Sequence, residues 1–328
     1  MKHNNFILIL TAILAAALLV LTGCNRNRDN DEMLRIGILK GIDHPALDAA
    51  ARGFRNVFAE AGYRHGENVY FDERSAMGDA AIRLQLAQMF VNNNSDMILA
   101  IGTGASQSVV AETDTIPIVI TAVTDPVAAG LVASLARPGN NVMGMSDLTP
   151  VASQIELMRR LIPTAQTVGV IFNSSELNSR IQADLARAKV ESLGLIYVEA
   201  TVTGTADIAQ VAESLAGRVD VIYIPTCNTI ASAYSLVIQI ADEHNVPVIV
   251  GESAGVDQGA LATEGINYYN LGRRTGEMAL MMLRGEAVLG EIPIEFLDRN
   301  DVVINTEAAA RHGIVIPEDI LAAAELRP

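Results

Sequence analysis

The sequence predicts an α/β protein built as two doubly wound parallel-sheet lobes joined by a multi-strand hinge. Three observations carry that reading. Short apolar runs alternate with helical ones along most of the 328 residues, the pattern of parallel sheets flanked by helices. The stretch Asp96 to Ser106, DMILAIGTGAS, returns in outline as Asp220 to Thr229, DVIYIPTCNT. Other landmarks recur in the same order: Gly37 and Gly62 are matched by Gly169 and Gly194, each 132 residues on, and Ile116 to Ile120 (IPIVI) by Val246 to Val250 (VPVIV), 130 on. A period of that length is far too long for a solenoid and implies a duplicated lobe.

The N-terminus stands apart. Lys2 and His3 precede an apolar run from Phe6 to Leu21, broken only by Thr11 and ending in Leu21-Thr22-Gly23-Cys24. A run of that size suits a short membrane helix, but small residues just before a cysteine read as a cleavage site. Leu-Thr-Gly-Cys resembles the bacterial lipobox, which implies a signal peptide over residues 1–23 and lipid on Cys24. The alternative is an uncleaved N-terminal anchor; either places the body outside the cytoplasm and tethers it to a membrane. Residues 24–33 include the polar run NRNRDNDE and read as a flexible tether. With Cys24 lipidated, Cys227 is the remaining one of two cysteines, so no intramolecular disulfide is possible.

From Leu34 the elements follow in order. Leu34 to Leu39 is a strand, and Ala46 to Ala61 a helix with apolar residues at Leu47, Ala50, Phe54, Val57 and Phe58, ended by Gly62. Asn68 to Phe71 is the second strand and Asp79 to Val91 the second helix, capped by Asp79. Met97 to Ile101 is five apolar residues in a row, too few for a typical helix and suited to a strand buried on both faces. Gly102-Thr103-Gly104 turns the chain into a helix over Ala105 to Glu112, and Pro117 to Ala122 is the fourth strand. The alternation restarts at Thr167 to Phe172. Later come strands at Leu261 to Ile266, Ile292 to Phe296 and Val302 to Asn305, a helix over Leu271 to Leu283, and a tail from Thr306 to Leu326. Sharing these late elements puts residues 34–146 with about 268–298 in lobe one, and 147–267 with about 299–328 in lobe two. The chain then crosses between the lobes near 145–150, 267–270 and 298–301, which makes a hinge that bends without swivelling freely.

Composition narrows the function. Half the residues are hydrophobic, enough to bury large cores, and 38 acidic residues outnumber 23 basic ones with no basic run. Nucleic acid is thereby disfavoured, since phosphate contacts need clustered lysine and arginine. The five histidines show no metal-ligand spacing, and no nucleophile elbow, Walker sequence or full dinucleotide fingerprint is present. No cofactor or metal is expected. Cys227 is the one conceivable nucleophile, without an obvious base.

In open parallel sheets ligands bind beyond the carboxyl ends of the strands. Six loops meet that description: Gly41 to His44, Gly102 to Ser106 and Thr121 to Pro126 in lobe one, Asn173 to Ser179, Pro225 to Thr229 and Gly251 to Asp257 in lobe two. They offer His44, Thr103, Gly104, Ala105, Ser106, Thr121, Asp125 and Pro126 on one side. On the other they offer Asn173, Ser174, Ser175, Glu176, Asn178, Ser179, Thr226, Cys227, Asn228 and Glu252. Several have a structural role open to them as well. Asp125-Pro126 is a good cap with proline at the first helical position, Glu176 suits the positive end of a helix, and His44 is placed either to cap the first helix or to line the cleft.

Taken together, PALDAA at Pro45 to Ala50, DMILA at Asp96 to Ala100, PIVITAVTDP at Pro117 to Pro126, Asn173-Ser174-Ser175-Glu176 with Asn178-Ser179, and Tyr268 with Leu271-Gly272-Arg273 resemble the substrate-binding lipoproteins of ABC importers that include the tryptophan-binding type. The resemblance runs from about Leu34 to about Ile316. It implies a type I periplasmic-binding-protein-like fold that closes on its ligand, no enzymatic activity, an ABC permease as partner, and in some members an aromatic amino acid as ligand. One departure stands out: where that family commonly reads Pro-Thr-Asp-Asn, this chain has Pro225-Thr226-Cys227-Asn228.

The expectation is therefore a monomeric, lipid-anchored receptor that traps a small zwitterion. The ligand carboxylate is expected at the N–H groups of Gly104 to Ser106 or Cys227 to Thr229, and the ammonium at Asp125 and Glu176. A ligand sensor for a membrane signalling partner is the alternative, and a hydrolase using Cys227 a further one.

Overall fold

The computed structural model describes residues 33–328 apart from Arg299; the expected signal peptide, Cys24 and nearly all of the tether lie outside the described residues. The first sheet is formed by β1 (Leu34–Lys40), β2 (Val69–Ser75), β3 (Met97–Ile101), β4 (Ile118–Val123) and β5 (Val142–Ser146). Their order is β2-β1-β3-β4-β5, every pair parallel. β3, β4 and β5 are buried along their whole length, as strands covered by helices on both faces must be. The helices between them are α1 (Pro45–Glu60), α2 (Ala80–Asn92) and α3 (Thr103–Val110).

The second sheet takes β6 (Thr167–Asn173), β7 (Ile196–Val202), β8 (Val221–Ile224), β9 (Val248–Val250), β10 (Ala262–Gly265), β11 (Asp301–Asn305) and β12 (Glu325–Arg327). The order is β12-β11-β10-β9-β8-β6-β7, with β10 and β11 the one antiparallel pair among the described strands. Around it lie α4 (Val151–Leu161), α5 (Leu177–Ser192), α6 (Ile208–Ala216), α7 (Asn228–Ala231), α8 (Tyr234–Glu243) and α9 (Ser253–Val256). Then come α10 (Tyr268–Leu283), α11 (Thr306–Arg311) and α12 (Glu318–Ala323).

The internal echo has a physical basis. Asp96 accepts from the Arg35 N–H at 2.7 Å, and Asp220 from the Gln166 and Thr167 N–H groups at 2.8 Å. Each aspartate thus ties the start of its own strand to the start of the neighbouring one. Gly37 and Gly169 are equivalent as well: a Cβ on the first would stand 2.7 Å from the Phe90 ring and on the second 2.9 Å from Leu215. In both halves a large helix side chain rests directly on a strand backbone.

Helix α10 follows β10 of the second sheet yet packs on α1 of the first. The contact is backbone to backbone, since a Cβ on Gly272 would lie 1.9 Å from the Ala50 carbonyl oxygen and one on Gly53 2.2 Å from that of Tyr269. The chain then passes Glu295, paired with Met145 beside β5, before entering β11. It therefore crosses between the sheets three times, after β5, after β10 and before β11.

Some expected elements differ. The strand over Ile292 to Phe296 shrinks to the single Met145–Glu295 bridge, because Pro293 has no N–H to extend a ladder. The helix expected from Ala105 begins at Thr103, since Gly102 turns within one residue by adopting φ of 95°. The tail contains two short helices and β12, which pairs with β11. No helix among the described residues is long and apolar enough to cross a membrane.

Candidate functional site

The carboxyl ends of the two sheets face each other across a cavity of about 350 Å³, within the size range of small-molecule sites. Thr103, Gly104, Ala105, Asn173, Ser175, Glu176, Asn178 and Asn228 line it, as expected from their loops. The lobes are drawn together over it: His44 Nε2 meets Asn228 Oδ1 at 3.2 Å, and the Gln182 amide donates to Thr124 Oγ1 at 3.3 Å.

The wall from the first lobe is positive. Helix α3 opens with the N–H groups of Thr103, Gly104 and Ala105, which have no carbonyl one turn back, and no side chain caps them. Thr103 Oγ1 is buried without a hydrogen-bond partner beside them. Arg83 of α2 completes the wall: its guanidinium lies against Gly104, where a Cβ would come within 3.0 Å of Cζ, and its Nε donates to Ser108 Oγ at 3.1 Å. Burial lowers the Arg83 pKa while the charge of Glu176 raises it, and a guanidinium stays charged throughout. No carboxylate stands within salt-bridge reach of Arg83 among the described residues.

The opposite wall is negative and centres on Glu176. Its Oε2 accepts from the Asn228 N–H at 2.9 Å, Ser179 Oγ at 3.1 Å and Asn228 Nδ2 at 3.2 Å. Its Oε1 accepts from the Thr229 N–H at 2.9 Å and Thr229 Oγ1 at 2.5 Å. The N–H groups opening α7 are therefore occupied by a carboxylate of the protein itself. Of the two helix starts expected to meet a ligand carboxylate, that at Cys227 to Thr229 is thus already filled by Glu176, and that of α3 has no side-chain cap.

The remaining expected residues lie elsewhere. Ser106 Oγ bonds back to the Gly102 carbonyl at 3.0 Å, and Thr121 Oγ1 accepts from Thr275 Oγ1 at 3.0 Å, both fully buried away from the cavity. Asp125 caps the turn that follows it, accepting from the Val127 and Ala128 N–H groups at 3.0 and 2.9 Å. Its carboxylate takes the capping role open to it, and neither it nor Pro126 is among the residues lining the cavity. Ser174 is outside the lining, and Ser179 acts through Glu176.

His44, Thr226, Cys227 and Glu252 surround a second, much smaller chamber of about 10 Å³ deeper between the lobes, together with Asp147 and Tyr268. Asp147 accepts from the Tyr268 hydroxyl at 2.7 Å and from Thr124 Oγ1 at 3.0 Å. Cys227 Sγ accepts from the Asn173 N–H at 3.2 Å, and burial together with the Glu176 charge pushes its thiol up to about 12. A thiol so held is protonated at neutral pH, the reverse of an activated nucleophile.

Reading strand ends alone missed Arg83, which projects from within α2, and Leu47 of α1; the apolar Ile42 and Leu177 lie in two of the six loops but were not singled out there. The one available signal was that Arg83 is the sole charged residue between Ala80 and Asn92.

Comparison with known proteins agrees with this architecture. Residues 35–326 match the family model described as ABC transporter substrate binding protein. A tyrosine-binding protein of Clostridioides difficile is 39% identical over 312 residues, 91% of this chain and 90% of that protein. An ABC domain in complex with L-Trp from Streptococcus pneumonia superposes with a TM-score of 0.86 at 34% identity, covering 90% of this chain and 99% of the other. The ligand-free, open form of a substrate binding protein with adhesive properties from Clostridium difficile gives 0.68 at 39% identity, with the same coverage. The overlap is lower with the open form despite its higher identity, in keeping with the bonds that join the lobes here. Two lobes of parallel sheet closed over a polar cavity have the architecture of a type I periplasmic binding protein, and this chain belongs to the family of ABC transporter substrate binding proteins.

Proposed function

We propose that the chain is a lipid-anchored receptor that captures an aromatic amino acid in the cleft and delivers it to an ABC permease. The observation that carries this reading is the placing of Arg83 and Glu176 on opposite walls of one cavity of about 350 Å³. A zwitterion matches both walls at once. Its carboxylate is received by Arg83, the N–H groups opening α3 and Thr103 Oγ1. Its ammonium faces Glu176, whose charge the surrounding donors stabilise without cancelling it. The side chain lies against Ile42, Leu47 and Leu177, and the tyrosine- and tryptophan-binding relatives support an aromatic one. Enclosure by both lobes makes a ligand lacking either charge costly, because the unmatched group stays desolvated.

Closure takes place about the three crossings, with residues 34–146 and about 268–298 moving against 147–267 and about 299–328. Cys24 supplies the anchor, which mass analysis of the mature N-terminus would reveal as acylation. The ligand reading is tested by thermal melting and calorimetry with L-tyrosine and L-tryptophan. A true ligand at about a hundredfold over its Kd adds about 2.7 kcal/mol of stability. The matching amines without carboxylate, and acids without ammonium, should add far less. Absence of any shift with either amino acid overturns the reading.

A further inference from the structure

We propose that closing the cleft takes up one proton, held on Glu252 in the small chamber between the lobes, so that ligand capture and proton uptake are coupled. This rests on the reading of the cleft as one that opens and closes on a ligand. The chamber has one wall from each lobe: His44 and Tyr268 from the first, Cys227 and Glu252 from the second, with Asp147 on the first crossing. Its volume of about 10 Å³ has room for about one water molecule. Two carboxyl groups, Asp147 and Glu252, are thus enclosed with no lysine or arginine among the lining residues.

Nothing around them supplies the missing positive charge. Burial pushes the hydroxyls of Tyr234 and Tyr268 and the thiol of Cys227 up, and pushes the His44 imidazole down, so all four are neutral near pH 7. Burial raises the Asp147 carboxyl as well, but its two hydroxyl donors offset part of that and make it the carboxyl of the pair better suited to carry the charge. Glu252 has the Tyr234 hydroxyl as its one neighbouring donor, which favours the ionised form too weakly to offset burial, and its Oε1 is buried without a well-formed hydrogen bond. The proton therefore belongs on Glu252, whose carboxyl is raised to about 8 by burial and by the charge of Asp147. Opening the cleft admits water and returns Glu252 toward the ordinary carboxylate range.

The chamber is joined to the ligand cavity by bonds. Glu176 accepts from Asn228 Nδ2 at 3.2 Å, and Asn228 Oδ1 meets His44 Nε2 at 3.2 Å. With Nε2 donating, His44 Nδ1 is a bare acceptor, buried and without a partner. Ligand at Glu176 and proton at Glu252 accordingly favour the same lobe arrangement.

The sign follows from linkage. A group whose pKa is raised in the closed form favours closure most at low pH. That advantage is lost by up to about tenfold in affinity per pH unit as pH rises, levelling off above about 8. His44 acts oppositely, losing a proton on closure below about pH 6.5, so the measurement belongs at about pH 7.5. Calorimetry with L-tyrosine in buffers of different ionisation enthalpy should then show uptake of most of one proton per ligand. E252Q should show almost none, with affinity nearly constant between about pH 7 and about pH 8. No uptake by the natural protein, or equal uptake by E252Q, overturns the proposal. Should neither L-tyrosine nor L-tryptophan bind, the receptor reading fails separately. The lobe-to-lobe distance of the ligand-free protein, read by fluorescence transfer, then decides: contraction on lowering the pH, absent in E252Q, supports the proton site, and a distance independent of pH overturns it.

Discussion

His44, at the start of α1 on the first lobe, and Asn228, at the start of α7 on the second, meet at 3.2 Å between Nε2 and Oδ1. The histidine makes no side-chain hydrogen bond to cap its own helix, so the bond serves the lobe contact rather than local structure. His44→Ala should therefore weaken ligand binding by the worth of one buried hydrogen bond, about 1 kcal/mol or roughly fivefold. Titration calorimetry checks this. Thermal melting of the ligand-free variant should stay within a degree or two of the natural protein.

Arg83→Leu removes the cation from the carboxylate wall and keeps a side chain to cover Gly104. A charge-assisted hydrogen bond is worth about 1.5–3 kcal/mol, so affinity for the amino acid should fall by about 10- to 150-fold. The amine lacking the carboxylate should bind natural protein and variant alike, and a comparable loss with that amine would count against the assigned role.

Glu176 combines structure and charge, and two variants separate them. Glu176→Ala strips the acceptor from the N–H groups of Asn228 and Thr229 and should cost about 2 kcal/mol of stability by urea unfolding. Glu176→Gln keeps one acceptor oxygen but turns its NH2 toward the donors of the other, so it too should lose stability, by less than the alanine variant. Both should bind the zwitterion at least about tenfold more weakly, as expected on losing one charged hydrogen bond.

The thiol of Cys227 is wholly buried and held protonated. With saturating ligand the folded protein should resist Ellman's reagent at pH 8 for hours and react at once in denaturant. Rapid reaction of the ligand-bound protein would contradict the closed packing described here.

Gly272→Ala places a methyl where the Ala50 carbonyl oxygen stands, 1.9 Å from an ideal Cβ. The helices α1 and α10 must part to admit it, at a cost of about 3 kcal/mol. Chemical denaturation should register that loss. Gly285→Ala, where a Cβ would have open space but φ is 70°, tests backbone strain instead and should cost about 1 kcal/mol.

Much of the fold was legible because its signals are local. Buried parallel strands such as Met97 to Ile101 are unbroken apolar runs, and Asp79 announces its helix through a cap. The duplication was visible because Asp96 and Asp220 perform one task, tying neighbouring strands at their starts. The loops of the cleft could be found by rule. How their side chains divide between ligand and protein could not be: Ser106, Asp125 and Ser179 have local partners that compete with any ligand, and Glu176 is held by Asn228 and Thr229, which only the folded chain brings within reach. Arg83 escaped because helix interiors carry no mark of what lies opposite them. The short strand β12 escaped because three residues are too few to show a period.

The close approach of α1 and α10 at Gly53 and Gly272 leaves no layer of side chains between them to yield under load. His44 precedes α1 and Tyr268 begins α10, so the two residues that roof the inner chamber are fixed to one stiff lever. Neither can advance toward the other lobe while the other lags. Single molecules labelled across the cleft should accordingly show two discrete distances whose proportions change with ligand, rather than one distance that drifts.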